Sequence, residues 1–525
     1  MKTKEEDSAP HAPQEASDSP GLKVKNKWIY YGAIFDVYFF KFVGSLSIYN
    51  LSIFMDTISN EHNFGFSKYE REFFIGIFTS AFYIGSAVGS LSTGFCTRFD
   101  TRIVYAITRI GNSLALIMFT YPNVWTMVLA RFFMGCFYDA SHAVAAWSLY
   151  EILLPRHRER ALTLFYAVAG VCYFCCVILA LYDPGSWSFW RLGFIIPSLA
   201  VIVEVLLSFV IFPKYNTLTY LVNIKGEEKA IETLNYYFEE ETAKQLVEEF
   251  KRNQLSERDQ VDDIEHEDNE NTGNMIEMDF LAKDSSEEPQ KFQNDNSRSV
   301  LNEENNQLSE CTGGFLADFR AYRAEAVHII VFTTASMLAF HDTYYLFSVY
   351  YGSKNLSDKE AVSTTKHFLV FASITKVVSS FLVGIFNWSK KRKLCLLISH
   401  LGTVTLLAIV AYAFYVENLE ISRYCLVFFP LFTAGICSVN DIYSNDVGPP
   451  SLYAINHMIV RGASAIFGLL IPLYIHFEIL SFQAVAIRLV SLVVIGVFCF
   501  FWLLFNMIET DGLNKRVIRA KLKGE

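Results

Sequence analysis

Residues 129–160 read LARFFMGCFYDASHAVAAWSLYEILLPRHRER. The stretch is apolar for long enough to cross a bilayer core, which takes about 20 residues of helix. It nevertheless carries Arg131, Asp139 and His142, and it ends in Arg156, Arg158 and Arg160. An ion held at mid-bilayer costs roughly 2.5 kcal/mol or more, so such residues either find a partner or serve a function. The basic cluster marks the cytosolic end.

Working outward, comparable apolar runs fall near 29–55, 73–96, 103–121, 124–148, 162–182 and 192–212, then near 326–350, 367–387, 394–415, 422–446, 455–476 and 483–507. The expected fold is an all-α membrane protein with twelve transmembrane spans in two six-helix bundles. Its 525 residues are 52% hydrophobic and 16% aromatic, with a mean hydropathy of +0.27. That composition excludes a water-soluble fold with a charged surface.

The net charge of −10 is concentrated in a polar block after Lys251, and no basic groove for nucleic acid is visible. Most of the ten cysteines lie inside apolar runs, without zinc-ligand or disulfide-framework spacing. No metal or other cofactor is expected.

Five regions follow: a disordered cytosolic N-terminus (1–28), the first bundle (29–212), a central loop (213–324), the second bundle (325–507) and a basic tail (508–525). The central loop opens with a helical pattern, EEKAIETLNYYFEEETAKQLVEEFKRN. It continues into acidic, aromatic-poor sequence that reads as disordered. Lys23, Lys25 and Lys27, Arg98 and Arg102, the arginines 156–160, Lys390–Lys393 and the basic tail all fall on one side. This places both termini in the cytosol of a multi-pass protein of the plasma membrane or an endomembrane. Asn355, in a weak glycosylation sequon, falls on the opposite side.

Several local patterns resemble the sugar-porter and organic-ion branch of the major facilitator superfamily. Leu129, Arg131 and Gly135 resemble its arginine–glycine motif in span 4. Glu151, Pro155 and Arg158 resemble its acid–proline–arginine pattern, and Trp190 and Arg191 its WR before span 6. Residues 443–472, YSNDVGPPSLYAINHMIVRGASAIFGLLIP, resemble its span 10–11 junction, with Asp446 in the place of the acid. The chain departs from the pattern after span 2 (GFCTRFDTR), after span 8 (FNWSKKRK) and in span 7, which lacks the hexose-binding glutamines of sugar porters.

The resemblance implies that spans 1, 4, 7 and 10 line a central cavity, and each holds an aspartate: Asp36, Asp139, Asp342 and Asp441. Asp36, Asp139, His142, His341, Asp342 and Tyr345 are the candidate substrate or ion ligands, Asp441 being a weaker one. Asp139 and His142, three residues apart, share a helical face. Asp36 lies at a depth like that of Asp139, so one cytosol-open cavity is expected to take both. Arg131, Glu151, Arg158, Asp446 and Arg461 are candidate gate residues, with Arg461 expected to pair with Asp446.

The function implied is secondary active transport of a small solute by alternating access. An organic ion is favoured, with a cation suited to the tyrosines after Asp342, a proton or sodium as coupling ion and the lipid bilayer as surroundings. The alternatives are a sugar or another small metabolite, or a protein of this fold that has lost transport and acts as a receptor or structural subunit. Neither a nucleotide-binding loop nor a catalytic constellation is present in the sequence, so an enzyme is not expected.

Overall fold

The computed structural model describes residues 23–61, 68–96, 99–181, 187–211, 216–252, 358–388, 391–447, 458–459, 461–462, 465–466, 482–510 and 515–523. Span 7 with His341, Asp342 and Tyr345, the acidic segment, Asn355 and the first 22 residues lie outside them, as do the side chains of Arg158 and Asp441.

The first half is six long helices: α1 (Lys27–Glu61), α2 (Lys68–Cys96), α3 (Thr101–Phe119), α4 (Val124–Ile152), α5 (Pro155–Leu181) and α6 (Trp187–Ile211). Short polar caps set their starts. Asp100 accepts from the Arg102 amide at 3.0 Å to begin α3, and Asn123 accepts from the Trp125 and Thr126 amides to begin α4. Each cap satisfies amides that the helix leaves unpaired.

A short helical turn (Leu218–Tyr220) and a π turn (Leu221–Lys225) lead to α7 (Glu227–Leu234) and α8 (240–252). The second half contains α9 (Asp358–Trp388), α10 (Arg392–Tyr415), α11 (Leu419–Val447) and α12 (Phe482–Asn506), followed by α13 (Lys515–Lys523).

The apolar faces divide between lipid and core. Among the described residues, α3, α6, α10 and α12 contain segments long and apolar enough to span a membrane by length and composition. α6 leaves Leu206 and Val210 exposed, as a helix in hydrocarbon does. Leu218, Leu234, Phe238, Leu246 and Val247 form one apolar cluster with Tyr30, Leu149 and Leu153, so the 216–252 segment is docked against the ends of α1 and α4. Val24 pairs with Phe238 as a β-bridge, and the Lys23 amide donates to Thr242 at 2.9 Å.

Candidate functional site

Glycines allow the site to form. A Cβ at Gly85 or Gly89 of α2 would stand 1.9 or 2.2 Å from the carbonyl oxygens of Phe132 and Cys136, and one at Gly135 of α4 2.0 Å from that of Phe82. The α2 and α4 backbones are therefore in contact, which only hydrogen side chains permit. This approach brings the Ser86 hydroxyl onto Asp139, to which it donates.

Asp139 is buried and also receives Arg461, whose Nε donates to Oδ2 at 3.0 Å and whose Nη2 donates to Oδ1 at 3.5 Å. The ring of Tyr83 lies 5.9 Å from that guanidinium. One turn beyond, Ser80 donates to the carbonyl of Ala465 at 3.1 Å. These contacts join α2 and α4 of the first half to the described part of span 11. A second line of contact runs from α5 to α9: Lys376 Nζ is 5.3 Å from the Tyr173 ring, and a Cβ at Gly170 would meet Ser380 Oγ at 3.4 Å.

Beside this junction Lys41, buried in α1, donates to the Tyr138 hydroxyl at 3.1 Å. Its ammonium stands 5.5 Å from the Tyr138 ring and 4.8 Å from that of Phe165 in α5. His142 packs on the same two rings, at centroid distances of 5.8 and 5.2 Å. Although three residues apart, Asp139 and His142 turn to different neighbours: Asp139 to α2 and span 11, His142 to α5. The cluster presents an ammonium, an imidazole, a phenol hydroxyl and aromatic faces together.

The other sequence candidates take separate places. Asp36 does not join Asp139, contrary to the shared cavity expected from their depths. Its carboxylate accepts from Arg109 of α3 at 2.9 Å, and Arg109 also donates to Glu204 of α6. Arg131 donates from Nε to the Phe78 carbonyl at 3.4 Å and stacks 4.6 Å from the Phe82 ring.

Glu151 accepts from the Thr219 amide at 3.0 Å and from its hydroxyl, tying α4 to the segment after α6. The expected pairing of Arg461 with Asp446 is replaced. Asp446 receives Arg392 at 2.6 Å and Thr510 at 2.9 Å, while Arg461 reaches across to Asp139. The span 10 carboxylate lies at the end of its helix, beside the basic residues that begin α10.

Arg109, Glu204 and Arg392 are partners that the sequence reading passed over. Arg109 and Glu204 carry the same signal as Asp139, an ionisable residue inside an apolar run. Asp100, which follows rather than precedes Arg98, caps α3 and holds Arg102 at 3.4 Å in the divergent loop after span 2.

Against known proteins, the sequence profile of the Major Facilitator Superfamily matches residues 37–454. The fold is similar to that of the proton:xylose symporter XylE bound to 6-bromo-6-deoxy-D-glucose, with a TM-score of 0.67 and 13% identity over 94% of this chain and 99% of that one. A partially occluded, inward-open form of XylE from E. coli gives a TM-score of 0.59 at 12% identity, over 92% and 99% of the two chains. The human organic anion transporter MFSD10 gives 0.53 at 9% identity, over 90% and 98%. No curated protein matches the sequence.

At these identities the structural likenesses show the fold, while the profile spans most of the sequence. The chain thus belongs to the major facilitator superfamily, as a multi-pass membrane protein that moves a small solute by secondary transport and is not an enzyme.

Proposed function

We propose that the solute is a small organic ion, held at the cluster of Lys41, Tyr138, His142 and Phe165, and that the Asp139–Arg461 pair holds the two halves together beside it. The observation that carries this reading is the ion pair itself. It joins residues 322 positions apart, on opposite halves of the chain, within about two turns of the Lys41 cluster along α4. A contact of that kind is made when the halves approach and lost when they part, as alternating access requires.

The Lys41 ammonium and the Tyr138 hydroxyl can take an anionic group on the solute, with its apolar part against the rings of Tyr138 and Phe165. This anion replaces the cation suggested by the span 7 tyrosines, which lie outside the described residues. The proposed orientation has both termini in the cytosol, supported by the docking of residues 23–25 on the 216–252 segment.

Purified protein in proteoliposomes, offered panels of carboxylates, sulfonates, amines and sugars in counterflow, tests the assignment. Saturable uptake of anions that is lost in Lys41→Met is the expected result. Uptake of sugars or amines alone would overturn the solute class. No saturable uptake of any solute would overturn the site.

A further inference from the structure

A second cluster of ionisable groups lies within the first six helices, apart from the Asp139–Arg461 contact. Arg109 of α3 has a side chain only 2% exposed. Its Nη2 donates to Asp36 Oδ2 at 2.9 Å, and its Nη1 donates both to Asp36 Oδ1 at 3.3 Å and to Glu204 Oε1. The rings of Phe40 and Tyr105 stand 4.8 and 4.1 Å from the guanidinium carbon. Three membrane helices, α1, α3 and α6, thus contribute two carboxyl groups to one arginine.

Charge and hydrogen-bond accounting then point the same way. With both acids ionised the cluster holds an uncompensated negative charge in a low-dielectric setting, which is costly. Two carboxylates that share a nitrogen also repel one another, and such pairs hold a proton in common. Glu204 Oε2 is enclosed and receives no donor, while Glu204 Oε1 and Asp36 Oδ1 both accept from the same Arg109 nitrogen. One hydrogen held by the two carboxyl groups brings the cluster to neutrality, with a single negative charge against Arg109.

We propose that Asp36 and Glu204 hold one exchangeable proton between them against Arg109, forming a proton-binding site separate from the solute cluster. The other groups nearby leave this balance in place. Tyr105 is the further titratable side chain that α3 brings to the cluster. Lys41, five residues along α1, is turned to Tyr138 of α4 and Phe165 of α5. α5 offers Cys172 and Cys176, packed against Val201 and Val205 of α6.

Asp36 and Glu204 each retain 16% side-chain exposure. Asp36 lies about 14 Å from the cytosolic start of α1 at 1.5 Å per residue. Use of this proton as the coupling ion rests on the transport reading above, but the site itself does not.

Infrared difference spectroscopy of the full-length protein in lipid nanodiscs at neutral pH reads the proton directly. The expected result is a carboxylic-acid C=O band that shifts in deuterium oxide. The band should be lost in Glu204→Gln and also in Asp36→Asn, because a single remaining carboxyl group ionises against Arg109.

Thermal unfolding of each variant verifies that it is folded, and either variant alone suffices. A wild-type spectrum without any deuterium-sensitive acid band would overturn the proposal with no variant needed. So would a band that persists in a folded Glu204→Gln protein, or one that excess sodium removes. Uptake without the band would sink the proton site and spare the transport reading. The band without uptake would do the reverse.

Discussion

Asp139→Asn is the most informative perturbation, because it removes a charge from a pair that joins the two halves of the chain. Taking one partner from a buried ion pair costs about 3–5 kcal/mol, most of it from the charge left behind. Arg461 keeps 15% side-chain exposure against 3% for Asp139. The less enclosed guanidinium has room to turn toward other polar groups, so the lower end, about 3 kcal/mol, applies.

The helices α2 and α4 keep their crossing in the variant, since the backbone contacts at Gly85, Gly89 and Gly135 remain. The loss therefore falls on the conformation in which the halves touch, and about 3 kcal/mol moves that equilibrium roughly 100-fold toward separation.

Spin labels at Lys229 and Lys391, on a background without native cysteines, would report the distance between the two halves by double electron–electron resonance. The expected outcome is a longer-distance population that dominates in Asp139→Asn and recedes in Asp139→Asn/Arg461→Gln, where no charge is stranded. The coupling energy of that cycle should be about 2 kcal/mol or more, as for directly interacting residues. Single effects that simply add, or distance distributions in Asp139→Asn that match wild type, would refute the reasoning.

Four further variants have definite expected outcomes. Gly135→Ala should abolish the folded monomer in size-exclusion chromatography, because its Cβ meets a backbone oxygen at 2.0 Å. Gly193→Ala, with nothing within 4 Å, should be neutral or stabilising by up to ~1 kcal/mol. Glu151→Gln weakens a charge-assisted bond to the Thr219 amide by about 1–2 kcal/mol. Limited proteolysis should then cut the 216–252 segment faster, and an unchanged rate would show that apolar packing alone holds it. Deleting residues 255–313, whose acidic and aromatic-poor composition cannot form a core, should leave expression and uptake near wild type.

Hydropathy and charge determined the class of this protein by themselves. Runs of about 20 apolar residues can satisfy their backbone in lipid only as helices, and the order of the runs implied two six-helix halves. The basic residues supplied an orientation by the same logic. Ionisable residues inside apolar runs were read as places needing a partner or a function, and Asp36 and Asp139 each meet an arginine.

Which partner each took was decided by tertiary structure. Spacing along one helix relates residues three or four apart, whereas Asp139 meets a residue 322 positions away and Arg109 meets Glu204 95 positions away. Asp36 and Asp139 lie at similar depth, yet depth is only one coordinate. Rotation of each helix about its axis, fixed by close contacts such as those at Gly85 and Gly135, turned one acid toward α3 and α6 and the other toward α2 and span 11. Arg461 and Asp446 were separated for the same reason: helix rotation and the reach of a long side chain carried Arg461 across to the opposite half, and left Asp446 to Arg392.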